Sequence, residues 1–104
     1  MRKIETAMNN AIQGDTNWSQ ANTSVTHENG TAFVYLHGNK IAEVDDVSVT
    51  VFDGGWQTTT TKSRLNAILS EFGSVGDRVY QDKFVWFVCD NGQVAKFDNG
   101  YTFA

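Results

Sequence analysis

An α+β fold, with two helices on a mostly antiparallel sheet of six to eight strands, is what this sequence predicts. Three observations carry the prediction. Two stretches repeat apolar residues at helical spacing. Around them lie short runs of β-branched and aromatic residues, separated by pairs such as Asn29-Gly30. Proline is absent, so Gly, Asn and Asp must make the turns.

Ile4, Met8, Ala11 and Ile12, with Ala7 beside them, share one helical face. They predict an amphipathic helix over about residues 2–13, with Gly14 able to stop it. Residues 15–23 are polar around Trp18 and read as a loop that the indole pins to the core. Strands follow at 24–27, 31–37 and 40–44, joined by turns at Asn29-Gly30 and Gly38-Asn39. Asp45-Asp46 turns again. Val47, Val49 and Val51 then alternate with Ser48, Thr50 and Phe52, a period of two that marks a further strand.

The central stretch, residues 54–73, divides two strand-rich halves. Leu65, Ile68, Leu69 and Phe72 fall at i, i+3, i+4 and i+7 and predict a helix over about residues 60–72. Thr58 to Thr61 offer hydroxyls for its N-cap. Gly73 can take the left-handed conformation that ends a helix. Lys62, Ser63 and Arg64 are then expected in the first turn. Cations there oppose the helix dipole, and such local misfits sometimes mark function.

Ser74 to Asp77 read as a loop and Val79-Tyr80 as a short strand. Residues 84–89, FVWFVC, form a nearly continuous apolar run, the mark of a central strand. Within it Cys89 shares a face with Phe87 and Val85, and is expected to be buried and unreactive. Strands at 93–97 and 101–103 close the chain, with turns at 90–92 and 98–100. The halves look alike. Phe33-Val34-Tyr35-Leu36 parallels Phe84-Val85-Trp86-Phe87, and residues 40–46 parallel 93–99, which suggests two helix-plus-meander pseudo-repeats. With both helices on one sheet face, the other is expected to carry Tyr35, Phe52 or Trp86. Left bare, that face calls for a homodimer or a partner.

The 104 residues suit a single domain, 1–104, with a core of its own. Eight basic and twelve acidic residues leave a net charge of −4, which disfavours generic binding to nucleic acid or anionic membrane. A single cysteine rules out an internal disulfide and fits a reducing cytosol. No apolar run is long enough to span a membrane, and Glu5, Asn9 and Asn10 break any signal-peptide core.

Catalytic and metal signatures are weak. Cys89, His27 and His37 lack metal-ligand spacing, and Asp45, Asp46 and Asp53 read first as turn residues, so neither metal nor cofactor is expected. A small hydrolase or nuclease built on those aspartates is the weakest reading. Asp53-Gly54-Gly55 before a Thr-rich helix start lacks the residue order of a phosphate-binding P-loop. An anion at that helix N-terminus, held by the threonines, Lys62 and Arg64, would still obey the same physics. It would make the chain a nucleic-acid-associated protein. Trp56 either plugs the core edge or stands out as an anchor for a partner. The candidate binding surface is therefore Trp56, Gln57, Thr58, Thr59, Thr60, Thr61, Lys62 and Arg64.

Residues 34–44, VYLHGNKIAEV, and 52–69, FDGGWQTTTTKSRLNAIL, resemble a group of small proteins of tailed phages, notably phages of marine cyanobacteria. The start MRKIETAMNNAI and the run FVWFV at 84–88 fit the same pattern, so the resemblance covers nearly the whole chain. That group carries no assigned activity and no catalytic residues to transfer. The resemblance implies a small phage protein made in the cytoplasm of the infected bacterium. Small accessory phage proteins often act by binding. The leading expectation is a non-enzymatic binding protein for a host or phage macromolecule, with a protein as partner.

Overall fold

The computed structural model describes residues 1–104, which form two helices and nine strands. Helix α1, Lys3–Gln13, and helix α2, Thr59–Phe72, follow the two apolar stripes. Met8, Ala11 and Ile12 of α1 and Leu65, Ile68 and Leu69 of α2 are buried in the main core, and Phe72 packs against it partly exposed. Six strands make the first sheet, in the spatial order β1-β2-β3-β4-β5-β9. They are β1 (Trp18–Gln20), β2 (Thr23–Glu28), β3 (Thr31–Leu36), β4 (Asn39–Val44), β5 (Val49–Val51) and β9 (Tyr101–Phe103). The second sheet holds β6 (Arg78–Asp82), β7 (Val85–Asp90) and β8 (Gln93–Lys96). Every pairing is antiparallel.

The fold is α+β, as expected, but nine strands in two sheets stand where one sheet of six to eight was expected, and two strands are placed differently. Residues 18–20 are an edge strand paired with Thr23–Val25, not a loop, although Trp18 does pack against the core. The last strand returns to the first sheet beside β5, with Thr50 and Thr102 hydroxyls 2.9 Å apart, and does not extend the second. Both helices pack on the first sheet, and α2 also touches β6. Asn66 on α2 acts there as a piece of strand. Its amide donates to Val79 O at 2.9 Å and its carbonyl accepts from Val79 N at 2.8 Å, covering the open edge of β6.

The helix-then-meander order occurs twice, but the residue correspondence fails. Val34 and Leu36 face the core, whereas the residues matched to them, Val85 and Phe87, do not; Trp86 and Val88 do. A match out of step by one residue reverses every side chain, because strand side chains alternate between faces. Trp86 is accordingly inside, 2% exposed, with Phe97 edge-on at 5.3 Å, and not on an outer face. Tyr35 and Phe52 are half-buried. The Lys40 ammonium, paired with Glu43, lies 4.6 Å from the Phe52 ring, so a cation partly covers that side of the first sheet.

Local chemistry sets the helix ends. The Thr58 hydroxyl accepts from Thr61 N at 3.1 Å, an N-cap that starts α2 one residue earlier than expected. Arg64 therefore lies in the second turn. Gly73 is extended, with φ −88° and ψ −172°, not left-handed. Glycine is needed there for space: a Cβ would meet Leu69 O at 2.7 Å and Asp77 Oδ2 at 3.1 Å.

Two-residue turns with both φ values positive make four hairpins. Asn29-Gly30, His37-Gly38 and Asn91-Gly92 place glycine second, as such turns favour. The second of these sits one residue earlier than the expected Gly38-Asn39. Lys83-Phe84, between β6 and β7, has no glycine. Phe84 sits at φ +68° there, one residue outside the strand into which its apolar type placed it, and 92% exposed. A bulky residue in that region costs about 1 kcal/mol or more.

Cys89 is buried, flanked on its face by Arg78 and Val94 of the neighbouring strands. A thiol reagent should label it in the native protein at a small fraction of the unfolded rate. Labelling as fast as in denaturant would refute this burial.

Candidate functional site

The expected binding surface splits into two places that face different surroundings. Arg64 is not on the surface. It is 3% exposed, and each of its three guanidinium nitrogens donates once: Nη1 to Glu5 Oε2 at 2.8 Å, Nε to Thr23 Oγ1 at 3.0 Å and Nη2 to Asn22 Oδ1 at 3.2 Å. Glu5, 2% exposed, also accepts from Ser63 Oγ at 2.6 Å, while its Oε1 takes Arg2 N at 3.2 Å and caps α1. Burial pushes the Glu5 carboxyl up. The hydrogen bonds from Ser63, Arg64 and Arg2 and the charge of Arg64 outweigh that and hold it below its ordinary value of 4.5. The cation thought to await an anion is thus an internal tie between α1, α2 and the start of β2. Nothing in the spacing of positions 5 and 64 could have announced that pair.

Lys62 points toward the second sheet. Its ammonium donates to Gln81 Oε1 at 3.0 Å and lies 5.8 Å from the Trp86 ring. The Lys62-Arg64 half of the surface therefore offers a phosphate no pair of free cations.

The other half is a groove. Trp56, Thr58, Thr60 and Thr61 line it on the side of α2, and Leu36, His37, Ile41, Asp53 and Gly54 complete it, around about 320 Å³. Gln57 and Thr59 lie beside it, exposed. Its floor follows from a bulge. The register of β3 on β4 slips between Val34 and Tyr35, which leaves Ile41 as an extra residue on β4, with both Ile41 and Ala42 buried. Gly54 packs directly on that bulge. It has φ +69°, and a Cβ there would meet Ile41 Cγ2 at 3.1 Å and Asn39 Cβ at 3.3 Å.

The loop that carries Trp56 is tightly bonded. Asp53 N donates to Asn99 Oδ1 at 2.8 Å, and Asp53 Oδ1 accepts from Gly55 N at 2.8 Å. Trp56 N donates to Asp53 O, and Trp56 O accepts from Thr58 N and from the Thr61 hydroxyl, each at 3.2 Å. Gln57 Nε2 reaches Asp53 Oδ2 at 3.4 Å. Trp56 does not plug the core edge: its residue is 71% accessible on a backbone fixed by these bonds.

The residues of metal-ligating type are scattered. His27 lies between Asp15, at 2.9 Å, and Ala11 O, at 3.0 Å. His37 is in the groove, and Cys89 is in the second sheet. Asp45 Oδ1 accepts from Val47 N, Ser48 N and Ser48 Oγ; these bonds stabilise its turn and hold its carboxyl below the usual range. No group of three or more His, Cys, Asp or Glu side chains is placed to hold a metal ion. Sequence reasoning missed the opposite wall, Leu36, His37 and Ile41, because a bulge and a hairpin tip bring it to the loop.

The chain belongs to the Kyanoviridae Gp96 protein family, whose family model matches residues 1–104, and it is a phage protein. No curated protein and no solved structure matches it. No helix is long and apolar enough to cross a membrane.

Proposed function

We propose that this phage protein is a non-enzymatic binding protein that takes a host or phage protein at the groove beside Trp56. The observation that carries this reading is the exposed indole on a backbone fixed by hydrogen bonds. An aromatic carried on a fixed backbone loses less freedom on binding than one on a mobile loop, and tryptophan is enriched among residues that dominate interfaces. Leu36 and Ile41 suit an apolar side chain of the partner, and Asp53 suits a cation beside it. A nucleic-acid partner is less well supported, since Arg64 is buried, Lys62 is bonded to Gln81 and the net charge is −4. The encounter takes place in the cytoplasm of the infected host.

Trp56→Ala should leave the melt within about half a kcal/mol of wild type, as for most surface changes. It should weaken capture of the partner from infected-host lysate by about thirtyfold or more, the scale of an interface hot spot. Capture by the wild type should change little between 50 and 200 mM salt, roughly the range over which phosphate-backbone binding collapses. Equal capture by Trp56→Ala and wild type would remove the groove from the function.

A further inference from the structure

We infer that the groove is closed, before any other partner arrives, by the Lys83-Phe84 hairpin tip of a second copy of this chain, in a two-fold dimer. The inference concerns regulation of the proposed binding groove and rests on that reading. Phe84 is the one two-residue turn position with positive φ where glycine is replaced by an aromatic, and it projects almost wholly into water. A residue that is strained and apolar and buries nothing within its own chain has a use outside it.

The groove fits the tip in size and in charge. About 320 Å³ is ample for one aromatic ring, since a cavity of about 150 Å³ holds benzene. Trp56 supplies an exposed apolar wall, over a floor that the nearly buried Leu36 and Ile41 reach. Lys83 and Asp53 each lack an ion-pair partner within the chain, one beside the ring and the other in the groove wall.

Position supplies the symmetry. Lys62, in the first turn of α2, bonds Gln81, which pairs with Trp86 just short of the tip. Trp56 lies just before the same helix end. Tip and groove therefore share one end of the molecule. Two copies facing each other end to end about a two-fold axis would make both contacts at once, so the proposed assembly closes as a dimer.

The test is sedimentation equilibrium over a concentration series on the full chain and three variants. Wild type should dimerise. Phe84→Gly should dimerise about a hundredfold more weakly or not at all, because the dimer loses an anchor from each copy; at a dilution where wild type too is monomeric it should melt at or above wild type, since glycine suits the positive φ. Lys83→Glu should also weaken the dimer, and less so at high salt. Trp56→Ala should be monomeric alone, yet a mixture with Phe84→Gly should form a heterodimer. One member supplies an intact tip and the other an intact groove. A monomeric wild type at millimolar concentration, a dimer that survives Phe84→Gly, or no heterodimer in the mixture would each overturn the inference.

The groove reading fails separately. Phe84→Gly keeps the groove open, so it should capture the outside partner at least as well as wild type. If the dimer behaves as stated but no Trp56-dependent capture occurs, the groove serves self-association alone. If capture depends on Trp56 while wild type is monomeric, binding stands and the dimer falls.

Discussion

Arg64→Ala is expected to cost about 3–5 kcal/mol, the usual range when one partner of a buried ion pair is removed. The reason is what remains. Glu5, 2% exposed, would keep a carboxylate with no cation beside it, the Thr23 hydroxyl would lose its donor, and the Asn22 carbonyl would keep only the Thr23 hydroxyl, at 2.8 Å. Arg64→Glu should be worse, since it sets a second carboxylate against Glu5. By contrast Lys62→Glu breaks an exposed hydrogen bond to Gln81 and should change the melt little. Glu5→Met with Arg64→Met together should cost less than the sum of the two single changes, because an apolar pair leaves no buried charge unmatched. The sign with pH follows from the depressed Glu5 carboxyl. Its contribution is fully present above about its ordinary value of 4.5, and it is lost as pH falls through the lower folded value. Denaturant melts at pH 7 and below pH 4, on wild type and Glu5→Gln, read this directly. A loss below about 1 kcal/mol for Arg64→Ala at neutral pH would mean that the pair is not the tie described.

The elements legible in the sequence are those with a local signal. Both helices show because their apolar residues recur with the helical period, and β3 and β4 show because Asn29-Gly30 and the residues around Gly38 force tight turns. What stayed hidden depends on residues far apart in the chain. Arg64 read as a surface cation because its partner lies 59 positions away. Phe84 read as part of a central strand because its residue type favours strands, whereas the register places Asp82 opposite Val85 and leaves Phe84 in the turn. The short polar strand β1 has too few alternating residues to announce itself and exists because β2 offers it an edge. Half of the candidate site, from Trp56 through the threonines, was visible as an odd cluster before the helix. The facing wall was not, because the bulge at Ile41 that shapes its floor is a matter of pairing, not of residue type.

Leu69→Ala should remove about 2–5 kcal/mol, the range for deleting most of a large buried side chain. Leu69 is 0% exposed and belongs to the cluster that joins both helices to both sheets, including Met8 of α1, Val49 and Val51 of β5, and Val79 of β6. Two effects add: the transfer free energy of the lost carbons and the void left among neighbours that cannot all move in. Collapse is hindered on the second sheet, where the Asn66 side-chain amide locks the Val79 backbone to α2 through two hydrogen bonds, and at the helix end, where Leu69 O accepts from Gly73 N at 2.9 Å. The cost should therefore fall in the upper half of that range. Leu69→Met, which nearly conserves volume, should cost less than about 1.5 kcal/mol. Because one cluster spans the chain, the loss should appear as a shift of a single cooperative transition, followed equally by tryptophan fluorescence and far-UV circular dichroism. Two separated transitions would show that the three-stranded sheet unfolds by itself. A loss under half a kcal/mol would mean that this face of α2 is not core.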